Sequence, residues 1–286
     1  MGVNGKESWE TAPRAPRHRD VDQRVLAVLS RLTDRDRQLC RLLYEHRVLT
    51  TSQVADIGFT GDRRVRKRLR ELHDMALVDR FRPRTDVGSA PSHWVLGTVG
   101  AALVAAERGV EMADLDWRRG MLADLAASQR LTHLVGTNGV FTALIRSARR
   151  RPGCRLEEWW SERLCAREWG EVVRPDGYGV WVDHDVRVPF LLEYDNGTET
   201  LERLAAKLPG YAELAAAAGH PNWVLFTFPS LRREREARRV LTHRQVPVAT
   251  AALSPDDAPD AAHWLPVGSS GTRLGLAQLV GRLGPT

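Results

Sequence analysis

Apolar residues in the stretch DRQLCRLLYEHRVL recur at helical spacing through Leu39, Leu42 and Leu43. They predict a helix over residues 21–46 with a break or cap near Thr33 and Asp34. The next stretch, TTSQVADIGF, offers Thr50, Thr51 or Ser52 as a cap for a short helix over Val54 and Ile57. A third helix follows in GDRRVRKRLRELHDMALV, with Val65, Leu69 and Leu72 as its apolar stripe. VDRFRP and HWVLG then read as two strands joined by the polar loop RTDVGSAPS. Three helices and a hairpin is the order of a winged helix-turn-helix.

Beyond residue 97 the pattern predicts an Ala-rich helix at 98–108 and a linking helix at 111–129. An amphipathic helix follows from Arg130, with Leu131, Leu134, Val135, Phe141, Leu144 and Ile145 along one side. Strands are expected at about 155–161, 172–182 and 188–195, then a helix at 199–218 kinked near Pro209. NWVLFTF reads as a buried strand, 231–243 as a helix and PVATAAL as a further strand. A loop at 254–271, with HWLPV as an edge strand, leads to a short C-terminal helix. The expected fold class is α+β: a winged helix-turn-helix, then an α/β domain whose helices cover a mixed sheet. The expected divisions are a disordered tail at 1–20, the winged helix at 21–97, a helical linker at 98–129 and the α/β domain at 130–286.

Composition narrows the partners. The 286 residues carry 42 Lys plus Arg and a formal charge of +6, which favours an anionic partner. Cys40, Cys154 and Cys165 show no CxxC spacing and fit reduced thiols better than disulfides or a zinc site. No apolar run is long enough to span a bilayer, and the polar, proline-dotted N-terminus is unlike a signal peptide. A soluble cytoplasmic protein with no membrane partner is expected.

Charge within the third helix is concentrated: Arg63, Arg64, Arg66, Lys67, Arg68 and Arg70 stand against Asp62, Glu71 and Asp74. Such a helix in a major groove bonds phosphates and reaches base edges from its first turns. Arg80, Arg82 and Arg84 add charge to the wing. The plain alternative is a solvated basic face in an arginine-rich protein.

Candidate chemistry lies between Arg174 and Tyr211. Pro175-Asp176 opens one expected strand, and the apolar run 188–192 leads into Glu193-Tyr194-Asp195 at the end of the next. Residues two apart on a strand share a face, so Glu193 and Asp195 are expected to project together, with Asp176 meeting them from the neighbouring strand. Three such carboxylates would hold a divalent ion, Mg²⁺, beside a phosphate. Asp176, Glu193, Asp195 and Lys207 are thus the candidate catalytic residues, and the first three the candidate metal ligands. Lys207 is one of only three lysines in the chain, and a flexible ammonium suits a metal–phosphate site. Pro-Asp-Gly and Asp-Asn-Gly are also common turn sequences, and Lys207 could simply solvate a helix face.

The winged-helix order together with PDG, EYDNGTE, Lys207 and Tyr211 resembles the replication-relaxation family of actinobacterial and other Gram-positive plasmids and integrated elements. The resemblance covers roughly residues 34–245 and implies a role in plasmid replication or DNA relaxation. Its implied partners are double-stranded DNA and other replication or transfer proteins. The second half separately resembles the PD-(D/E)xK, restriction-endonuclease-like fold, with Asp176 and Glu193 matching the motif's acids. Asp195 stands where that motif has lysine, and Lys207 could replace it from the next helix. The helix before the first strand offers His133 and Asn138 instead of the usual acid, and His133 reads as a packed or capping residue. A metal-dependent nuclease or nickase and a non-enzymatic DNA-binding regulator or replication accessory both remain open.

Overall fold

The computed structural model describes residues 18–58, 61–83, 90–242, 245–269 and 271–282. The expected tail lies outside them up to residue 17, and helix α1 (His18–Leu29) already includes its last three positions. Helix α2 (Asp34–His46) starts at a capping box: Asp36 N donates to Thr33 Oγ1 at 3.3 Å and Thr33 N to Asp36 Oδ2 at 2.8 Å. That box is the break expected near Thr33.

Strand β1 (Leu49–Thr50), α3 (Thr51–Gly58) and α4 (Asp62–Asp74) come next, then β2 (Val78–Phe81) and β3 (His93–Leu96). The three strands form an antiparallel sheet in the order β1-β3-β2. Leu39, Cys40, Leu43, Val54, Val65, Leu69 and Leu72 meet in one core beneath it. Helix α5 (Thr98–Arg108) covers this core and stops at Gly109, whose left-handed φ of 67° closes the last turn. The single helix expected at 111–129 does not form. A 3-10 turn at Met112–Asp114 precedes α6 (Met121–Ala127), because Trp117 turns inward and donates to Leu96 O at 3.1 Å.

Helix α7 (Leu131–Ala148) leads into a six-stranded mixed sheet. Its elements are β4 (Cys154–Ser161), α8 (Glu162–Trp169), β5 (Gly177–Asp183), β6 (Val186–Tyr194), α9 (Leu201–Ala206) and α10 (Leu208–Ala218). They continue with β7 (Trp223–Phe228), α11 (Leu231–Ala237), β8 (Val248–Ala252), β9 (Leu265–Pro266) and α12 (Leu276–Val280). The order is β4-β5-β6-β7-β8-β9, with β6, β7 and β8 parallel and the outer pairings antiparallel. Every residue of β7 is buried, as expected for a parallel strand covered on both faces.

Sequence periodicity misses α8, which Ser161 caps by accepting from Leu164 N at 3.2 Å. Strand β5 starts at Gly177 rather than 172, past Pro175, which has no N–H to give a ladder. The helix expected at 199–218 divides at Lys207, and Pro209 sits in the first turn of α10, where its missing donor costs nothing. Helix α11 ends at Ala237, short of the expected 243.

Helix α7 and α12 pack on one face of the sheet through Phe141, Leu144, Leu276 and Leu279, with Phe190 and Leu192 beneath them. Helices α9, α10 and α11 pack on the other through Leu204, Leu208, Tyr211 and Ala237 against Leu191, Val224 and Phe226. Alternation along β6 therefore directs Leu191 and Glu193 toward α9 and α10, and Leu192 and Tyr194 toward α7.

Helix α7 also binds the N-terminal unit. Asn138 Nδ2 donates to His46 O at 3.1 Å and Val48 O at 2.8 Å, and Gln53 Nε2 to Val135 O at 2.7 Å. Arg146 pairs with Asp56 at 3.1 Å, and the His46 ring stacks on Trp159 with centroids 3.6 Å apart. Asn138, a candidate for the missing helix acid, is thus committed to holding the two units together.

Candidate functional sites

At one end of the sheet, the register Gly177↔Leu192 places Asp176 and Glu193 on adjacent antiparallel strands, each at a strand end. Asp176 N donates to Leu192 O at 3.0 Å, extending the ladder by one bond. Its carboxylate is held from two sides: Tyr194 N donates to Oδ2 at 2.8 Å, and His133 Nε2 lies 2.9 Å from Oδ1. Glu193 is 1% exposed. Lys207 Nζ donates to its Oε2 at 2.6 Å, and the Tyr211 hydroxyl donates to Oε1. Lys207 stands where α9 hands over to α10, so the break in the helix aims the ammonium at the strand end. Glu199 lies on its other side at 3.6 Å.

Burial raises the Glu193 carboxyl to about 8, and the neighbouring Asp176 charge pushes the same way, against Lys207 and Tyr211. Burial lowers the Lys207 ammonium, but the charges of Glu193 and Asp176 outweigh it and raise its pKa. His133 is pulled down by burial, and the hydrogen bond and charge of Asp176 more than reverse this. Asp176, Glu193 and Lys207 therefore form one electrostatic cluster, and His133 and Tyr211 belong to it.

Asp195 does not join them. The strand ends at Tyr194, and Asp195 closes the Asp-Asn-Gly turn by accepting from Gly197 N at 2.8 Å, with Gly197 at a φ of 86°. Its other oxygen accepts from Arg233 Nε on α11 at 2.7 Å. Asp195 N still donates to Thr227 O at 2.9 Å, and its carboxylate meets α11 on the face of the sheet toward which Glu193 points, so the expected shared face holds while Arg233 and the turn engage the carboxylate. The arrangement gives two acids at the cluster and a third acid serving the turn.

Among the described residues, each oxygen of Asp176 and Glu193 has one partner and keeps further acceptor capacity. Two carboxylates of this kind suit Mg²⁺, which keeps several waters and is commonly held by one or two acids together with substrate phosphates. Asp176 and Glu193 are the residues that could hold it; Asp195 differs in being paired with the Arg233 guanidinium and the Gly197 amide of its own turn.

His133 was legible only as a histidine on an amphipathic helix. Gly136, one turn on, admits the Tyr194 ring: a Cβ there would lie 2.1 Å from a ring carbon. The His133 and Tyr194 rings meet edge to face at 5.7 Å.

The basic helix α4 presents Arg63, Arg64, Arg66, Lys67 and Arg70 on its exposed side. A groove lined by Ser52, Arg66, Arg70, Arg80, Arg82 and Trp94 runs between α4 and the β2–β3 hairpin. Arg80 lies over the Trp94 ring at 5.8 Å, and Arg82 donates to Ser92 Oγ at 3.1 Å. Arg84 lies outside the described residues. Arg68 is placed differently from its neighbours: it reaches Asp36 at 2.6 Å, Glu71 at 2.8 Å and Arg31 O at 2.9 Å. Asp36 is 1% exposed, so Arg68 pins α4 to α2 rather than facing outward. Arg68→Ala is expected to destabilise the chain by roughly 3 kcal/mol in urea unfolding, since it strands a buried carboxylate.

A family profile described as replication-relaxation matches residues 40–231. The chain belongs to the replication-relaxation family. The match runs from α2 to the first residue of α11 and takes in Asp176, Glu193, Lys207 and Tyr211. Membership points to a role in replication or DNA relaxation. No curated protein and no solved structure matches this replication-relaxation protein. Among its described residues, no helix is long and apolar enough to cross a membrane.

Proposed function

We propose that this replication-relaxation protein, of plasmid or integrated-element type, docks double-stranded DNA through a winged helix-turn-helix and nicks it with Mg²⁺. Helix α4 enters the major groove and the β2–β3 hairpin is the wing. The second unit is a restriction-endonuclease-like domain in which Asp176 and Glu193 hold the ion. Bound there, the ion would supply an activated water and polarise the phosphate. Lys207 offsets charge on the scissile phosphate, and His133 fixes the Asp176 carboxylate. The observation that carries this reading is the meeting of Asp176, Glu193 and Lys207 at one strand end. Other replication or transfer proteins are the further partners such a role calls for.

The basic face gives the first test. Replacing Arg63, Arg64 and Lys67 together with Ala is expected to weaken DNA binding and flatten its salt dependence by about one unit of slope per lost phosphate contact. Unchanged affinity and slope in a filter-binding series would refute α4 as the DNA-reading helix.

A binding-only role has one specific observation in its favour. Glu193 is fully buried and already answered by Lys207 and Tyr211, an arrangement that also makes a self-sufficient polar core. Incubating supercoiled plasmid with Mg²⁺ or Mn²⁺ separates the two readings, because only the first yields nicked circles.

A further inference from the structure

A second group of chemistry-bearing side chains sits at the far end of β5. Asp176 precedes this strand and Asp183 ends it, so seven residues, roughly 23 Å of strand, separate the two places. Cys154 on β4 and Asp183 on β5 are directly opposed in the antiparallel pairing, and His184 follows in the β5–β6 turn. One carboxylate oxygen, Asp183 Oδ1, is the common point: Cys154 Sγ donates to it at 3.4 Å and His184 Nδ1 lies 2.8 Å away. The three donor atoms all lie within 4.8 Å of one another, and among the described residues this is the one such group of His, Cys, Asp or Glu.

The backbone fixes this placement. His184 has a φ of 55°, a left-handed conformation uncommon for a residue other than glycine, and its N–H donates to Gly153 O at 2.9 Å. The ring lies over Gly153, where a Cβ would come within 2.9 Å of it. Arg151 takes the other oxygen of Asp183 at 2.9 Å and also binds Asp260, which leaves Oδ1 turned to the thiol and imidazole. Asp260 is itself buried, and among the described residues its Oδ1 has no hydrogen-bond donor. Two carboxylates thus share one guanidinium, a local excess of one negative charge. A divalent cation that displaced the thiol proton would bring the group to neutrality.

We propose that Cys154, Asp183 and His184 form a metal site for a borderline-soft divalent cation of the zinc class, with a position open to solvent beside the exposed His184. Thiolate, imidazole and carboxylate are the donors such an ion takes, whereas Mg²⁺ and Ca²⁺ take oxygen. The cation replaces the proton on Cys154, which leaves to solvent, and binds His184 through Nδ1 with the neutral ring's proton carried on Nε2. Arg151 holds the carboxylate in position, as hydrogen-bonded partners behind a metal ligand do. The bound ion would clamp the β4 edge to the β5–β6 turn, a role separate from the Asp176 cluster.

Co²⁺ titration of the reduced full-length chain tests this, since a thiolate bound to cobalt gives a charge-transfer band in the near ultraviolet. One equivalent is expected to produce the band, and Zn²⁺ to abolish it by competition. Cys154→Ser should remove it although Cys40 and Cys165 remain. His184→Asn keeps a residue that tolerates the left-handed turn and should weaken binding at least tenfold. Arg151→Met should weaken it by about tenfold. No band in the native chain would overturn the proposal. So would a band of equal strength in Cys154→Ser, or unchanged affinity in His184→Asn.

Discussion

Lys207→Ala is expected to slow nicking of supercoiled DNA in Mg²⁺ or Mn²⁺ by about a hundredfold or more, with DNA binding unchanged. The ammonium lies 2.6 Å from Glu193 and within the field of Asp176, so it is positioned before any phosphate arrives. Removing one preorganised charge from a site of this kind costs on the order of 10²–10³ in rate. Glu193→Gln should cost at least as much, because it removes a metal ligand as well as Lys207's partner. Agarose-gel assays of plasmid topology read both. Equal nicking by native, Lys207→Ala and Glu193→Gln chains would place the chemistry elsewhere, and no nicking by the native chain in either metal would favour the binding-only role.

Lys207→Met should reveal the cluster's energetics through pH. Burial and the Asp176 charge push the folded Glu193 carboxyl up to about 8, against an ordinary value of 4.5. Between those values the folded chain holds a proton that the unfolded chain has lost, so this group's contribution to stability falls as pH rises through the window. In the native chain Lys207 limits that fall by pairing with the carboxylate. Without it the Glu193 carboxyl is pushed higher still, so the variant keeps its proton at pH 9 and forgoes the ion pair that the native chain forms there. Lys207→Met is therefore expected to lose about 1.4 kcal/mol more stability at pH 9 than at pH 6. Glu193→Gln combined with Lys207→Met should abolish the difference between the two pH values. Urea unfolding at pH 6 and pH 9 checks this, and an equal deficit at both would contradict a buried, titrating Glu193.

The parts of this architecture that were legible in the sequence are those set by local pattern. The apolar run 188–192 and the stretch NWVLFTF became β6 and β7, and the stripe of Val65, Leu69 and Leu72 became the buried side of α4. Lys207 stood out because lysine is rare in this chain, and its contact with Glu193 follows from the break between α9 and α10. Of the long-range pairings, the meeting of Asp176 and Glu193 was legible from strand alternation, and those of the arginines were not. Arg68 and Arg233 look like any other arginine in sequence, yet one is bound to the buried Asp36 and the other to Asp195. His133 gave no local signal, because its role depends on where α7 lies relative to β5. Helix α8 was hidden by its brevity and by the aromatic end of β4.

The central claim is that Asp176 and Glu193 together hold a divalent ion and that Asp195 does not. Calorimetric titration of Mg²⁺ into the full-length chain tests it directly, since the thiol-containing group at the other end of β5 does not favour that ion. One site is expected in the native chain, absent in Asp176→Ala and in Glu193→Ala and retained in Asp195→Asn. Identical titrations for all four proteins, whether binding or not, would contradict it.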